Sequence, residues 1–255
     1  MKDIGLVLSG GGARGVAHIG VIRALEEKGI RFTRVSGTSA GSIVGALYAQ
    51  GYSPKEIFEI VQQVSIFKSV RPAWAWTGLL RMDGLQELLL RYIPHNDFSK
   101  LKKPLTVAAT NIQKGVIEYF REGELVPAVV ASCSIPAIFN PLQYKGTLYV
   151  DGGLLDNLPV FPIRNQCEFI IGSHCNQVSN TFDGSNLKVV IERSMLIAIG
   201  ANTTLSKQLC DIVVDPPGLD KFSSFDIGRA KEIFEIGYKF TKENIHESQI
   251  EKMLA

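Results

Sequence analysis

Near its start the chain twice passes from a short apolar run, through a glycine-rich turn, into a stretch with the apolar spacing of a helix. The first run, Ile4–Leu8, is nearly all apolar, which is typical of a strand buried on both faces of a parallel sheet. Helical spacing follows over Val16–Lys28, and Gly29 stands where such a helix would end. Because each helix must pack back onto the sheet that its strand joins, we expect an α/β fold.

The second of these units is centred on Ser39. Thr33–Ser36 is predicted to be the end of a strand, and Ala40–Gln50 a helix that Gly51 terminates. Between them stands Gly37-Thr38-Ser39-Ala40-Gly41, which has the form of a nucleophile elbow. In such a turn only hydrogen fits at the flanking side-chain positions, and the serine hydroxyl is pushed out over the helix N-terminus. The pattern alone is also compatible with an ordinary glycine-rich turn.

The earlier turn, Gly10-Gly11-Gly12-Ala13-Arg14-Gly15, joins a strand to the start of a helix, where backbone amides can bind a negative group. Its glycine spacing matches a dinucleotide-binding fingerprint. That fingerprint requires a second strand ending in an acidic residue, whereas the second strand here ends in Gly37-Thr38-Ser39. A P-loop is excluded because no Gly-Lys-Ser/Thr follows. An oxyanion hole facing Ser39 fits best, with a flexible turn as the alternative.

The remainder of the chain alternates between strand-like and helix-like segments, without a linker, a repeat or a change of composition. We predict strands at Pro104–Thr110, Val116–Phe120, Leu148–Val150, Phe169–Ser173 and Asp211–Val214, and helices at Val126–Ser132 and Asp226–Asn244. This alternation favours one α/β domain over residues 1–255, with a mostly parallel sheet.

Residues 65–95 are the least regular part of the chain, and they are rich in aromatic and leucine side chains. A lid or an acyl-chain pocket would present such side chains to lipid. A pair of helices covering the sheet would also use leucines at helical spacing, as part of the core. The sequence leaves both interpretations open.

Composition and charge exclude several classes of function. The 255 residues carry a net charge of +2, with only a small lysine cluster at 100–103, so we expect no nucleic-acid partner. No apolar run reaches the ~18 residues of a membrane span, and the first residues lack the pattern of a signal peptide. The four cysteines form no C-x-x-C pair and are most simply buried thiols in a reducing cytosol. We therefore expect no metal, no cofactor and a cytoplasmic location.

A serine hydroxyl needs a neighbouring base before it can act as a nucleophile. Among the histidines, only His174, which directly follows the strand-like run Phe169–Ser173, stands where α/β active sites collect. The order Ser39, Asp151, His174 matches that of α/β-hydrolases, although fewer strands precede Ser39 than in that fold. Asp151 is the other candidate base. It follows a predicted strand and precedes Gly152-Gly153, although Asp-Gly is also a common hairpin turn.

Three blocks stand at the ends of predicted strands: Gly10–Gly15, Gly37–Gly41 and Asp151–Gly153. In this order they resemble the signature blocks of the patatin-like phospholipase family, of the bacterial type with a single patatin-like domain. Two flanking stretches are similar to the family as well, namely Ala131-Ser132-Cys133-Ser134-Ile135-Pro136 with Phe139-x-Pro141, and Asp156-Asn157-Leu158-Pro159. The resemblance runs from about residue 4 to about 165, and more loosely to the end, which includes a predicted C-terminal helical part at about 226–250.

The resemblance implies a three-layer α/β/α sandwich with a mostly parallel central sheet, and catalysis by a Ser–Asp dyad without histidine. It makes Ser39 the nucleophile and Asp151 the general base. The amides of the block Gly10, Gly11, Gly12, Ala13, Arg14 and Gly15 would then hold the oxyanion.

The activity that the resemblance implies is hydrolysis of carboxylic esters in lysophospholipids, phospholipids or related acyl esters, through an acyl-enzyme. Any membrane contact would be peripheral, at the inner face of the membrane. Two alternatives stay open: a regulatory or lipid-binding protein of the same fold with little catalysis, and a Ser–His–Asp esterase that uses His174. The sequence does not indicate an oligomeric state.

Overall fold

The computed structural model describes residues 2–63, 71–75, 78–178, 184 and 186–254. The strands in these ranges are β1 (Ile4–Leu8), β2 (Arg34–Thr38), β3 (Arg71–Ala75), β4 (Gly78–Arg81), β5 (Leu105–Asn111), β6 (Val116–Phe120), β7 (Leu142–Tyr144), β8 (Thr147–Asp151), β9 (Phe169–Ser173) and β10 (Ile212–Val214). The α-helices are α1 (Val16–Glu27), α2 (Ala40–Gln50), α3 (Pro54–Gln63), α4 (Asp83–Tyr92), α5 (Leu125–Ser132), α6 (Phe161–Arg164), α7 (Leu187–Gln208), α8 (Ala230–Asn244) and α9 (Glu247–Leu254).

Eight of these strands form one sheet in the order β10-β9-β1-β2-β5-β8-β7, with β6 also paired to β5. The five strands from β10 to β5 run parallel, and β6, β7 and β8 pair antiparallel. Strands β3 and β4 form a separate antiparallel hairpin. The prediction of an α/β fold with a mostly parallel sheet is therefore confirmed.

Alternate residues of β1 face two different cores, because side chains of a strand point to opposite faces of the sheet. Leu6 and Leu8 belong to the large core cluster that contains the apolar faces of α1, α2, α5 and α8. Val7 points the other way and packs with Ile163 of α6 in a smaller cluster. Helices thus cover both faces of the sheet, which gives the three layers that the resemblance implies.

The strand register places the candidate site at one edge of the sheet. Leu8 of β1 pairs with Gly37 of β2, so both glycine-rich turns leave the sheet side by side. In β5, the adjacent residues Ala108 and Ala109 pair with Thr38 of β2 and with Asp151 of β8. Asp151 therefore stands level with the end of β2, across a single intervening strand.

Predicted and observed elements agree where the apolar pattern is local. The bounds of β1 and α2 are those predicted, and Gly51 ends α2 with a left-handed φ of 105°. The predicted helix at 226–244 begins only at Ala230, because the Asp226 carboxylate accepts the Ser223 amide at 2.8 Å and holds the preceding residues in a turn. Helix α7 was not predicted, since several of its apolar residues, such as Leu187 and Leu205, are exposed. No helix within the described ranges is long and apolar enough to cross a membrane.

The segment proposed as a lid, an acyl pocket or a helix pair is only partly described, since residues 64–70 and 76–77 lie outside the described ranges. The part that follows them forms β4 and α4. Leu85, Leu88 and Leu89 of α4 are buried in the large core cluster. The leucines of α4 therefore belong to the core, as the interpretation as a helix pair expects.

Candidate active site

Ser39 occupies the sharp turn between β2 and α2. It is 6% exposed, and its backbone has φ 52° and ψ −126°, a conformation that non-glycine residues rarely adopt. Backbone hydrogen bonds hold it there, since the Ser39 amide donates to Ser132 Oγ at 2.8 Å and the Ser42 hydroxyl donates to the Ser39 carbonyl at 2.7 Å. Strain stored at a serine in a strand-to-helix turn is the signature of a nucleophile elbow.

The two flanking glycines are required by close backbone contacts. A Cβ atom added at Gly37 would lie 2.6 Å from the Gly41 carbonyl oxygen, and one added at Gly41 would lie 2.4 Å from the Leu8 carbonyl oxygen. Gly37 is therefore required by a contact within the turn, and Gly41 by the contact of the turn with the end of β1. Thr38 and Ala40, also predicted as elbow residues, lie at the end of β2 and the start of α2, where the Thr38 hydroxyl donates to the Asp156 carbonyl at 2.9 Å.

Asp151 ends β8 directly beside this turn, and its side chain is 7% exposed. The Ser39 side chain acts on its carboxyl group at close range and lowers its pKa, and the Gly153 amide donates to Oδ1 at 2.8 Å. Gly152 allows the close approach, because a Cβ atom there would lie 2.3 Å from the Ala108 carbonyl oxygen. The structure thus brings together the serine and the aspartate that the sequence predicts as a pair.

Burial raises the pKa of Asp151 to about 6, against the opposing effect of its hydrogen bonds from Ser39 and Gly153. Desolvation penalises the charged form of a carboxyl group, and this makes the carboxylate a stronger base. A carboxylate with an ordinary pKa would be a weak acceptor for the proton of an alcohol. The environment of Asp151 is therefore suited to general-base chemistry near neutral pH.

We expect kcat/KM for a soluble acyl ester to rise with pH through an inflection near pH 6. Asp151 can accept the Ser39 proton only as a carboxylate, so protonation below its raised pKa of about 6 removes the base. The measurement is a profile of initial rates with p-nitrophenyl butyrate from about pH 4.5 to about pH 8, with product read after alkalinisation. With an aspartate of ordinary pKa, kcat/KM would not change with pH above about pH 5. Such a flat profile would contradict the assignment of Asp151 as the base.

The glycine-rich loop presents two of its amides without an acceptor in the part of the chain that the structure describes, those of Gly11 and Gly12. Of the other predicted oxyanion residues, Gly10 donates its amide to the Asn157 carbonyl at 3.1 Å and Ala13 donates to the Ser224 carbonyl at 2.8 Å. The Arg14 amide donates back to the Gly11 carbonyl at 3.2 Å. Gly15 is needed for packing, since a Cβ atom there would lie 2.6 Å from the Ala40 Cβ.

The side chain of Arg14 is 5% exposed and ties the loop to two distant segments. Its Nε donates to the Phe222 carbonyl at 2.7 Å and its Nη1 to the Gln177 carbonyl at 3.2 Å. These bonds hold the backbone at 222–224 against the loop, where the Ser224 carbonyl meets the Ala13 amide. Sequence reasoning missed Ser224, because no pattern marks a backbone carbonyl that is brought in from far along the chain.

An apolar cavity of about 80 Å³ opens beside Ser39. Its lining includes Ile43, Val61, Met82, Ile135, Phe139 and Phe225, together with Gly12 of the glycine-rich loop. Met82 comes from the irregular segment at 65–95, so the described part of that segment contributes to the cavity as well as to the core. The cavity offers an apolar environment directly adjoining the serine and the loop amides.

His174 lies in a different setting. Its Nδ1 is 3.0 Å from Asp215 Oδ1, and Lys207 Nζ is 2.7 Å from the other carboxylate oxygen. Burial alone would raise the pKa of Asp215, but His174 and Lys207 hold it well below its usual range. His174 lines a polar cavity of about 500 Å³ that includes neither Ser39 nor Asp151. The geometry therefore gives the triad alternative no support.

Fold and site together define an α/β protein in which a strained serine at a strand-to-helix turn stands beside a buried aspartate. The sequence profile of patatin-like phospholipases matches residues 6–163. The chain belongs to the patatin-like phospholipase family, as its three signature blocks indicated.

Similar curated proteins include an uncharacterized NTE family protein of Mycobacterium bovis, which is 35% identical over 162 residues, 63% of this chain and 45% of that protein. Lysophospholipase NTE1 of Pyricularia oryzae is 31% identical over 278 residues, 94% of this chain and 18% of that protein. The chain thus spans less than half the length of these relatives. Among solved structures, VipD from Legionella pneumophila superimposes with a TM-score of 0.58 at 17% identity, over 99% of this chain and 67% of that one, which supports the fold alone.

Proposed function

We propose that the protein is a serine esterase that hydrolyses carboxylic esters of lysophospholipids or related acyl lipids. One observation carries the proposal: the Ser39 side chain stands beside the buried carboxyl group of Asp151 and lines an apolar cavity. In this assignment Ser39 is the nucleophile and Asp151 the general base, and they act as a dyad.

The first step is acylation. Asp151 accepts the hydroxyl proton as Ser39 Oγ attacks the ester carbonyl carbon, which gives a tetrahedral intermediate with a negative oxygen. Collapse of this intermediate breaks the bond to the alcohol oxygen, and protonated Asp151 returns its proton to that oxygen. The alcohol leaves, and the acyl group stays on Ser39 as an ester.

The second step is deacylation, in which water is the nucleophile and Ser39 is the leaving group. Asp151 accepts a proton from a water molecule as its oxygen attacks the acyl-enzyme carbonyl. The second tetrahedral intermediate releases Ser39 Oγ, which takes the proton back from Asp151. The products are a fatty acid and regenerated enzyme.

The amides of Gly11 and Gly12 would stabilise both tetrahedral intermediates. Each preorganised donor at such a site typically contributes about 3 kcal/mol. The N-terminus of α2 at Ser39 adds a partial positive charge, which favours the alkoxide character of the serine. With an aspartate as the only base, much of the rate enhancement must come from these backbone groups.

The apolar lining of the cavity supports an acyl chain as the group next to the scissile ester. The fungal relative is named a lysophospholipase, and this agrees with a substrate that carries a single acyl chain. A cytoplasmic location, peripheral membrane contact and a single domain over residues 1–255 stay predictions.

The test is labelling by an alkyl fluorophosphonate, together with a panel of lysophospholipids, diacyl phospholipids and short p-nitrophenyl esters. We expect the label on Ser39, identified by peptide mass spectrometry, and turnover of at least one lysophospholipid. A protein that binds these lipids but shows neither label nor turnover would instead support the regulatory or lipid-binding alternative.

A further inference from the structure

A cluster of buried polar groups holds the glycine-rich loop by its carbonyl oxygens. The Gly10 carbonyl accepts the Ser9 hydroxyl at 2.9 Å and the Cys175 thiol at 3.3 Å. The Ser9 hydroxyl in turn accepts the Cys175 backbone amide at 3.1 Å. Ser9 and Cys175 have no exposed surface, so solvent cannot replace either donor.

His18 of α1 extends this cluster. Its Nε2 lies 2.9 Å from the Ser9 carbonyl oxygen, and its Nδ1 lies 2.7 Å from Ser173 Oγ. Because a carbonyl oxygen only accepts, Nε2 carries the hydrogen, and Nδ1 accepts the Ser173 hydroxyl. Burial lowers the pKa of His18 to about 4, so the ring is neutral at pH 7 and keeps this arrangement.

These anchors set the direction of the free amides. In a trans peptide the carbonyl and the N–H point to opposite sides of the chain. The Gly10 carbonyl and the Gly11 amide belong to the same peptide group. A carbonyl held on Cys175 and Ser9 therefore directs the Gly11 N–H away from the cluster.

Ser39 lies against the loop and is not part of this cluster. A Cβ atom added at Gly10 would lie 3.1 Å from the Ser39 Cβ, and Gly12 lines the cavity that contains Ser39. On the cluster side, a Cβ atom added at Gly11 would lie 2.4 Å from Cys175 Sγ. The Cys175 thiol thus packs directly against Gly11, which prevents the loop from moving towards it, and it donates to the Gly10 carbonyl.

We propose that Cys175 and Ser9 are positioning residues that hold the Gly11 amide in the orientation required by an oxyanion on Ser39. The inference rests on the proposed function and adds to it the residues that preorganise the oxyanion hole. Donors fixed in advance stabilise a developing charge more than donors that must reorient during the reaction. Both side chains act only through the Gly10–Gly11 peptide group.

Cys175→Ala tests this by removing one donor to the Gly10 carbonyl and the atom that packs against Gly11. We expect kcat for p-nitrophenyl butyrate to fall about tenfold with KM within about twofold, a part of the loss that removal of a whole oxyanion donor causes. Cys175→Ser restores a donor and should recover most of kcat. Cys167→Ala is the matched control, since it removes a buried thiol from the core cluster on the other face of the sheet and should keep the wild-type kcat.

The second readout is the rate constant for inactivation by an alkyl fluorophosphonate. Its adduct on Ser39 places a phosphoryl oxygen where the oxyanion would lie, so this rate constant should fall in parallel with kcat. A merely structural defect would lower the fraction of enzyme that can be labelled, while the active fraction would react at the wild-type rate.

A Cys175→Ala variant with wild-type kcat and inactivation rate would overturn the inference, as would a Cys175→Ser variant no better than Cys175→Ala. If Cys175→Ala does not fold by circular dichroism, Ser9→Ala removes the other donor and decides by the same two rate constants. Absence of turnover and of label in the wild-type protein would refute the proposed function itself. That outcome is distinguishable because it appears before any variant is compared.

Discussion

Replacing Ser39 with alanine is expected to lower kcat for acyl-ester hydrolysis by at least about 10⁴-fold. The change removes the oxygen that would carry the acyl group, so only attack by water assisted by Asp151 and the loop amides remains. The turn should survive, because the bonds that hold it to Ser132 and Ser42 use the backbone of Ser39 rather than its side chain. The measurement is initial rate with p-nitrophenyl butyrate and with a lysophospholipid, at matched concentrations of folded protein.

Ser194→Ala is the matched control for this change. Ser194 is exposed on α7, and its hydroxyl donates only to the Val190 carbonyl one turn earlier, at 2.8 Å. This variant should keep the wild-type rate and the fluorophosphonate label. A Ser39→Ala protein that retains more than a few per cent of the wild-type rate would show that another group is the nucleophile.

Replacing Asp151 with asparagine is expected to lower kcat by about 10³-fold, within the range that loss of a general base causes. An asparagine oxygen can still accept the Gly153 amide, so the end of β8 should keep its conformation. The amide cannot take the Ser39 proton, and the rate constant for fluorophosphonate inactivation should fall together with kcat. Asp3→Asn, an exposed carboxylate near β1, is the control that should change neither value.

The same variant should not be less stable than the wild type. The folded pKa of Asp151 is raised from 3.8 to about 6, so its carboxylate costs stability above pH 6, and this cost shrinks as the pH falls towards 3.8. Asparagine carries no charge to desolvate, and at pH 7 we expect an equal or higher melting temperature by circular dichroism.

A His174→Ala variant that loses activity while Asp151→Asn keeps it would instead favour the triad.

The parts of the site that sequence could predict are those built within one strand–turn–helix unit. The spacing of Gly37, Ser39 and Gly41 fixes the elbow locally, since each glycine is required by a contact within that turn or with the end of β1. The position of Asp151 after a predicted strand made it one of two candidate bases, and the family resemblance selected it as the partner of Ser39. Its position beside Ser39 depends on β5, which lies between β2 and β8 and pairs with both.

The parts that sequence could not predict depend on contacts between distant segments. The glycine-rich loop looks like six equivalent donors, yet the amides of Gly10 and Ala13 are occupied by the carbonyls of Asn157 and Ser224. Backbone carbonyls have no residue signature, so a pattern cannot show which amides stay free. Helix α7 escaped prediction for a related reason, because exposed apolar residues such as Leu187 and Ile197 blur the periodicity of its buried face.

The ladder that joins β2, β5 and β8 has a further consequence for how the site could work. Ser39 and Asp151 each stand at the end of a strand, since Thr38, which precedes Ser39, pairs with Ala108 and Asp151 pairs with the neighbouring Ala109. Their separation is therefore set by main-chain pairing, and no loop has to close and lose entropy to bring them together at the moment of reaction. Ser39 and Asp151 are therefore already side by side in the free protein, which would leave substrate binding only to supply the proposed ester.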